Sequence, residues 1–243
     1  MNSLKKAFKQ AFPITIPVMC GYLFLGCGFG VLMSKAGYHF IWSTFTSITV
    51  FCGSMQYVAV DLLSNKFDIL TAIIMTLAVN IRHLFYGLSL IGQYKGIGSK
   101  KFFCAFGLTD ETYSLVCSQK VPDNVDKGSF YLAITMLNHI YWICGCTVGG
   151  IIGQYVDFNA KGIDFVMTAL FVVIFLEQWE STTEHSSALL GLGATLFTLV
   201  ISRTVFTAMS GFFLIPSMII IFLALAIFRN NLEGRFDKCN INQ

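Results

Sequence analysis

Apolar runs of membrane-spanning length recur from one end of the chain to the other, separated by short polar or basic connectors. They cover residues 12–34, 41–63, 68–93, 102–118, 129–155, 163–179, 186–202 and 204–228. A helix needs about 20 mostly apolar residues to cross the hydrocarbon core. The runs are too many and too evenly spread for a soluble domain with one anchor. No strand-like alternation suggests a membrane barrel. The pattern predicts an all-α fold: a polytopic integral membrane helical bundle with about six to eight membrane segments, some of them broken or re-entrant. It forms one integral membrane domain over residues 1–243. Residues 1–10 are expected as a cytoplasmic tail and 229–243 as a polar C-terminal tail.

Composition agrees. The chain is 55% hydrophobic and 12% charged, against about 25% charged in an ordinary soluble domain. Its mean hydropathy is +0.69. The net charge of +3 says little about partners, because basic residues in such a chain mostly mark cytoplasmic loops. No basic stripe interleaved with aromatics supports nucleic-acid binding. Lys5, Lys6 and Lys9 followed by an apolar run resemble a signal peptide, but the run extends past Met33 and reads as a first span. The eight cysteines are scattered, mostly within apolar segments and without a Cys-x-x-Cys pair. They read as small packing residues, and no metal or cofactor is expected.

Within this apolar frame a few polar groups stand out. The first run has Pro13 and Pro17 near its start, then Gly21, Gly26, Gly28 and Gly30, a pattern that lets membrane helices approach closely. The second is interrupted by Gly53, Ser54 and Gln56. That step either kinks a helix contact or exposes backbone groups of the kind that bind ligands in broken membrane helices. The third carries Asn80, Arg82, His83 and Tyr86. On a helical projection Asn80, His83 and Gly87 fall within about 60° of one another, with Arg82, Tyr86 and Ser89 beside them. Ile81, Leu84, Phe85, Leu88 and Ile91 take the other half. The polar half should face protein or a water-filled cavity; snorkelling of Arg82 and His83 to the interface is the alternative.

The fourth run contains Thr109, Asp110 and Glu111. An unpaired Arg or Asp at mid-span costs roughly 2.5–3.5 kcal/mol on insertion scales. Charges that persist there pair with each other or line a path for substrate or ions. Adjacent residues on a helix point apart, so one acid can pair with Arg82 while the other lines a cavity or sits at a helix break. Low dielectric favours the neutral form of a carboxyl group, which makes Asp110 or Glu111 a candidate proton carrier; a purely structural ion pair with Arg82 is the other reading. The 129–155 span carries Asn138 and His139, then Gly145, Gly149, Gly150 and Gly153. Glu177 and Gln178 close the 163–179 run, before a polar connector over 181–185. Arg203 separates the last two runs.

A weak internal echo links Gly26–Gly30 and Phe51–Gln56 with Gly145–Gly150 and Phe175–Gln178. Orientation depends on whether 41–63 crosses. If 41–63 and 163–185 are re-entrant, the Lys5/Lys6/Lys9, Lys95/Lys100/Lys101 and Arg229/Arg235/Lys238 clusters all fall in the cytoplasm.

Gly53-Ser54-Met55-Gln56-Tyr57, Asn80-Ile81-Arg82-His83-Leu84-Phe85-Tyr86-Gly87-Leu88-Ser89, Phe106-Gly107-Leu108-Thr109-Asp110-Glu111 and Ala169-Leu170-Phe171 leading to Glu177-Gln178 together resemble the AzlC/BrnF family. These are the large subunits of two-component branched-chain amino-acid exporters, and the likeness runs from about residue 11 to 228. One departure is Gly-Ser-Met-Gln-Tyr where the family more often reads Gly-Ala-x-Gln-Phe. The resemblance implies export of leucine, isoleucine, valine or their analogues across a bacterial cytoplasmic membrane, driven by the proton motive force. It also implies a small hydrophobic membrane partner of the AzlD/BrnE type. The expected substrate-binding or coupling residues are Gly53, Ser54, Gln56, Asn80, Arg82, His83, Tyr86, Thr109, Asp110, Glu111, Glu177 and Gln178. A membrane-embedded enzyme is the rival class, but no His-Glu-x-x-His or Gly-x-Ser-x-Gly spacing supports it, and His185 with Glu180 and Glu184 is only a loose metal-like grouping. A scaffold subunit is the third reading.

Overall fold

The structure, a computed structural model, describes residues 3–64, 69–156 and 185–205, with isolated positions between 165 and 180 and between 220 and 227. Eight helices are described: α1 (Ser3–Lys35), α2 (Phe40–Thr49), α3 (Gly53–Ser64), α4 (Ile69–Leu90), α5 (Lys100–Phe106), α6 (Asp110–Ser118), α7 (Lys127–Tyr155) and α8 (Ser186–Val205). No strand occurs among the described residues. The chain divides into two compact units, Met1–Met167 and Thr168–Gln243. The first carries α1 to α7, the second α8.

Among the described residues three helices are long and apolar enough to cross a membrane: α1, α4 from Ala72, and α7. At 1.5 Å per residue α1 is about 50 Å long, so its basic first turns extend beyond a hydrocarbon core of about 30 Å. Pro13 and Pro17 therefore lie inside the helix rather than near its start as the sequence suggested. Each removes one backbone donor; the Thr15 hydroxyl donates to the Phe12 carbonyl (3.0 Å) between them. The remaining helices of the first unit are short. At about 10–18 Å each, α2, α3, α5 and α6 cannot span alone. The interruption expected in 41–63 is present, at Val50–Cys52 between α2 and α3. Phe51 sits there at φ 37, a left-handed conformation that bulky residues adopt only under constraint.

The 102–118 run, read as one segment, is instead divided. Helix α5 ends at Phe106 with Gly107 as its C-cap. Helix α6 begins after Thr109, whose hydroxyl accepts from the Thr112 N–H (3.3 Å). Thr at an N-cap followed by two acids in the first turn is a strong helix start. In the second unit α8 continues through Arg203 to Val205, so Arg203 is not a separator; arginine is a good helix former. The expected Glu177 and Gln178 step lies outside the described residues.

Helices α1 and α7 run parallel along two glycine rows. A Cβ on Gly26 would come within 2.9 Å of the Cys146 nitrogen, one on Gly145 within 2.7 Å of the Tyr22 carbonyl, and one on Gly153 within 2.8 Å of Ser34 Cβ. At Gly30 and Gly149 it would overlap facing backbone. The register advances in the same direction on both helices, so both cross the membrane in one sense. At the end where α1 begins, Ala7 and Ala11 pack in one cluster with Leu90 at the end of α4, Ile97, Val116 near the end of α6, Val125, and Phe130 at the start of α7. Helix α4 therefore runs against α1 and α7. The α2/α3 pair leaves from and returns to one side, and the α5/α6 pair does the same from the other. Two broken, re-entrant helix pairs enter the first unit from opposite faces.

The basic end is also tied by a cap. Asp126 accepts from the Ser129 N–H (2.9 Å) and from Lys100 Nζ (2.6 Å). The Lys100 ammonium, then Ser129, hold its carboxyl down to about 2.

Candidate functional site

The polar half of α4 meets both breaks. Ile81, Leu84, Phe85, Leu88 and Ile91 are exposed, as expected of a lipid-facing half, while Asn80, Arg82, His83 and Tyr86 are half-buried. Arg82 Nη1 lies 2.7 Å from Asp110 Oδ2, and its Nη2 donates to Ser54 Oγ at 2.7 Å. One guanidinium thus joins the start of α3 to the start of α6, and it does not snorkel. Arg82 Nε and Asp110 Oδ1 are buried without a hydrogen-bond partner in the chain. Beside them the Cys52 thiol donates to Asn80 Oδ1 (2.9 Å).

Glu111 turns the other way. Its Oε2 accepts from the Tyr22 hydroxyl of α1 at 2.6 Å. That hydroxyl is also 2.7 Å from Thr109 Oγ1. His83 and Tyr86 lie edge-on with ring centroids 6.0 Å apart, and Tyr86 stacks on Tyr113 at 4.5 Å. Ser89, further along the same face, is exposed and within 3.2 Å of the Tyr113 hydroxyl.

Helix α7 is the template for both breaks. Trp142 Nε1 donates to Gln56 Oε1 (2.7 Å), and its ring fills the space a side chain at Gly53 would need. Asn138 Nδ2 donates to Thr112 Oγ1 (3.0 Å), leaving its own Oδ1 buried and unpartnered in the chain. Thr135 packs against Gly107. His139 Nε2 is 3.1 Å from the Ser47 carbonyl, a group that loses its helical partner where α2 ends. The His139 ring lies tilted against Phe51, centroids 4.2 Å apart, and neighbours Phe103 and Phe106 of α5. Thr135, Asn138, His139 and Trp142 share one helical face, and that spacing was the available signal for residues the sequence reading left out of the site. Tyr22 carried none.

The structure therefore brings together Ser54, Arg82 and Asp110, sets Thr109 and Glu111 with Tyr22, and gives Gly53 and Gln56 to Trp142. Among the described residues no group of three or more His, Cys, Asp or Glu side chains could hold a metal. His185 stacks on Trp179 at 4.0 Å. The arrangement offers a cation and two differently partnered carboxyl groups, with the N-termini of α3 and α6 close by. Such termini favour anionic groups, and broken helices of this kind build binding sites in secondary transporters.

The motifs that converge here lie in one interval, residues 17–156, and a family model described as AzlC protein matches that interval. The chain belongs to the AzlC family. It is 45% identical over 93% of its length to the branched-chain amino acid transport protein AzlC of Bacillus subtilis, covering 87% of that protein. It is 37% identical to an uncharacterized membrane protein of Helicobacter pylori, over 96% of this chain and all of that one. A Haemophilus influenzae membrane protein is 36% identical over 98% of this chain and 95% of its own. No solved structure matches. The Helicobacter pylori and Haemophilus influenzae relatives are named membrane proteins, and this AzlC-family chain is a multi-pass helical membrane protein.

Proposed function

We propose that this chain is a secondary transporter that exports branched-chain amino acids from the cytoplasm, driven by the proton motive force. We further propose that it works with a small hydrophobic membrane subunit of the AzlD/BrnE type. The observation that carries the reading is the Arg82–Asp110 pair, 2.7 Å apart, held between two re-entrant helix starts with one polar atom of each residue unpartnered in the chain. A zwitterion presents the complementary pair of charges. Its carboxylate can be met by Arg82 with the N-terminus of α3, and its ammonium by Asp110. An amino acid that inserts between the two replaces each partner with an equivalent one, so the pair can open without stranding a charge. The 45% identity to a protein named for branched-chain amino acid transport supports the substrate class.

The test is efflux of radiolabelled leucine, isoleucine and valine from cells expressing the chain with and without the small subunit, each with and without a protonophore. Efflux should rise above the empty-vector rate only when both subunits are present, and should collapse with the protonophore. Vector-level efflux with both subunits present would reject the reading. Protonophore-insensitive efflux would reject the drive alone.

A further inference from the structure

The two acids at the start of α6 are adjacent in sequence but differently partnered. Asp110 is ion-paired with Arg82. Glu111 accepts a 2.6 Å hydrogen bond from Tyr22, whose side chain is buried between α1 and α7 with its ring edge-on to Trp142 at 5.4 Å. The groups that face Glu111 can be named element by element. From α1 there is the Tyr22 hydroxyl. From the α6 cap and first turn there are Thr109 and the neighbouring Asp110. From α7, Asn138 is turned to Thr112 and His139 to the Ser47 carbonyl. From α4, Arg82 is taken up by Asp110 and Ser54. Among the described residues Glu111 has no cationic partner within ion-pair distance.

This difference decides which acid can exchange a proton during a cycle. Protonating Asp110 removes the counter-charge of a buried guanidinium, and breaking such a pair is strongly unfavourable. Protonating Glu111 leaves no cation unpaired, and the neutral carboxyl group still offers an acceptor oxygen to the Tyr22 hydroxyl, although that bond is weaker than one to the carboxylate. We propose that Glu111, oriented by Tyr22, is the proton-binding site of this transporter, and that the Arg82–Asp110 pair stays ionised as the substrate clamp. The Glu111 carboxylate takes up a proton from the aqueous phase on one side of the membrane and releases it to the aqueous phase on the other side in the second half of the cycle. Tyr22 is a positioning residue that holds the carboxyl group in place. The inference rests on the proton-driven reading above and names the acid responsible.

Proteoliposomes containing the chain and its small subunit separate the two roles. Radiolabelled leucine is followed in exchange, with leucine on both sides, and in net transport driven by a pH gradient. Wild type should do both. Glu111→Gln should keep exchange, which also reports a folded protein, and lose gradient-driven transport together with leucine-linked proton movement read by an internal pH dye. Glu111→Asp should restore part of the driven flux. Tyr22→Phe should keep exchange and move the midpoint of the pH profile of driven transport. Asp110→Asn should lose both modes. Driven transport surviving in Glu111→Gln, or exchange lost in it as fully as in Asp110→Asn, would overturn the assignment. Wild type that exchanges leucine but shows no net transport driven by the pH gradient would overturn the proton-driven reading itself, and this inference with it.

Discussion

Arg82 and Asp110 each depend on the other for burial. Their side chains are 24% and 14% exposed, and removing either leaves the remaining charge uncompensated, at about 3–5 kcal/mol for a buried pair. Arg82→Ala and Asp110→Asn should therefore lower the unfolding temperature of the detergent-purified protein as well as abolish leucine and valine efflux. The double variant should recover most of the lost stability, since no lone charge remains, yet none of the efflux. Full efflux from either single variant would refute a role for the pair in transport. Arg82, Asp110 and Glu111 could be picked out of the sequence because a charge inside an apolar run has few explanations. Tyr22 could not, because a tyrosine in an apolar helix is ordinary until its hydroxyl is seen 2.6 Å from Glu111. That the two acids would point apart, one of them to Arg82, was expected from helical geometry; a second partner for the other was not, and which acid took which depends on where α1 and α4 pack.

The elements are organised by their interruptions. The break after α2 was legible from Gly53, Ser54 and Gln56, although the kink itself falls on Phe51, just upstream. The break between α5 and α6 was hidden by the hydrophobicity around it; Gly107 and the Thr109 cap carried the signal, and the apolar reading of 102–118 overrode them. His139 joins the two, accepting the role of partner to the Ser47 carbonyl while its ring touches aromatic residues at both breaks. A buried polar group left unpaired costs about 1–3 kcal/mol. His139→Ala should therefore raise amide hydrogen exchange across residues 47–53, whereas His139→Gln, which keeps a donor, should retain more of the protection. Equal exchange in the two variants would show that ring packing, not the hydrogen bond, holds the break. The glycine rows make a second contrast between elements. Gly149→Ala places a methyl group into the backbone of α1 around Cys27, while nothing lies within 4 Å of a Cβ at Gly21. Thermal unfolding should show the first variant destabilised and the second close to wild type. The sequence grouped Gly21 with Gly26 and Gly30, and spacing alone gave no means to separate them.

At the scale of the molecule, packing in the first unit brings together two of the three basic clusters whose sides charge counting left open. Parallel α1 and α7, with α4 running antiparallel to them, place Lys5, Lys6 and Lys9 at the same end as the loop carrying Lys95, Lys100 and Lys101. That holds only if 41–63 returns to the side it left. The glycine echo gains a physical meaning from the same geometry, since its two glycine runs are the surfaces through which α1 and α7 meet; pairing of repeats across such an interface is common in secondary transporters. By the positive-inside rule we propose that the shared basic end is cytoplasmic. A cysteine substituted at Lys95 should then react with an impermeant thiol reagent only from the cytoplasmic side, in a background cleared of native cysteines. A cysteine at Tyr155, which is 82% exposed at the far end of α7, should react only from outside. Labelling of Lys95 and Tyr155 positions from the same side would contradict the crossing of α7. Labelling of a cysteine at Gln243 from the same side as Lys95 would mean an even number of crossings between them; with α5/α6 re-entrant and α7, 186–202 and 204–228 crossing, 163–185 could not then be re-entrant as 41–63 is. With the expected pattern, the α2/α3 break is reached from outside and the α5/α6 break from inside. Arg82 then holds together two half-helices that belong to opposite faces of the membrane, and opening its contact to Ser54 or to Asp110 would expose the site to one side at a time.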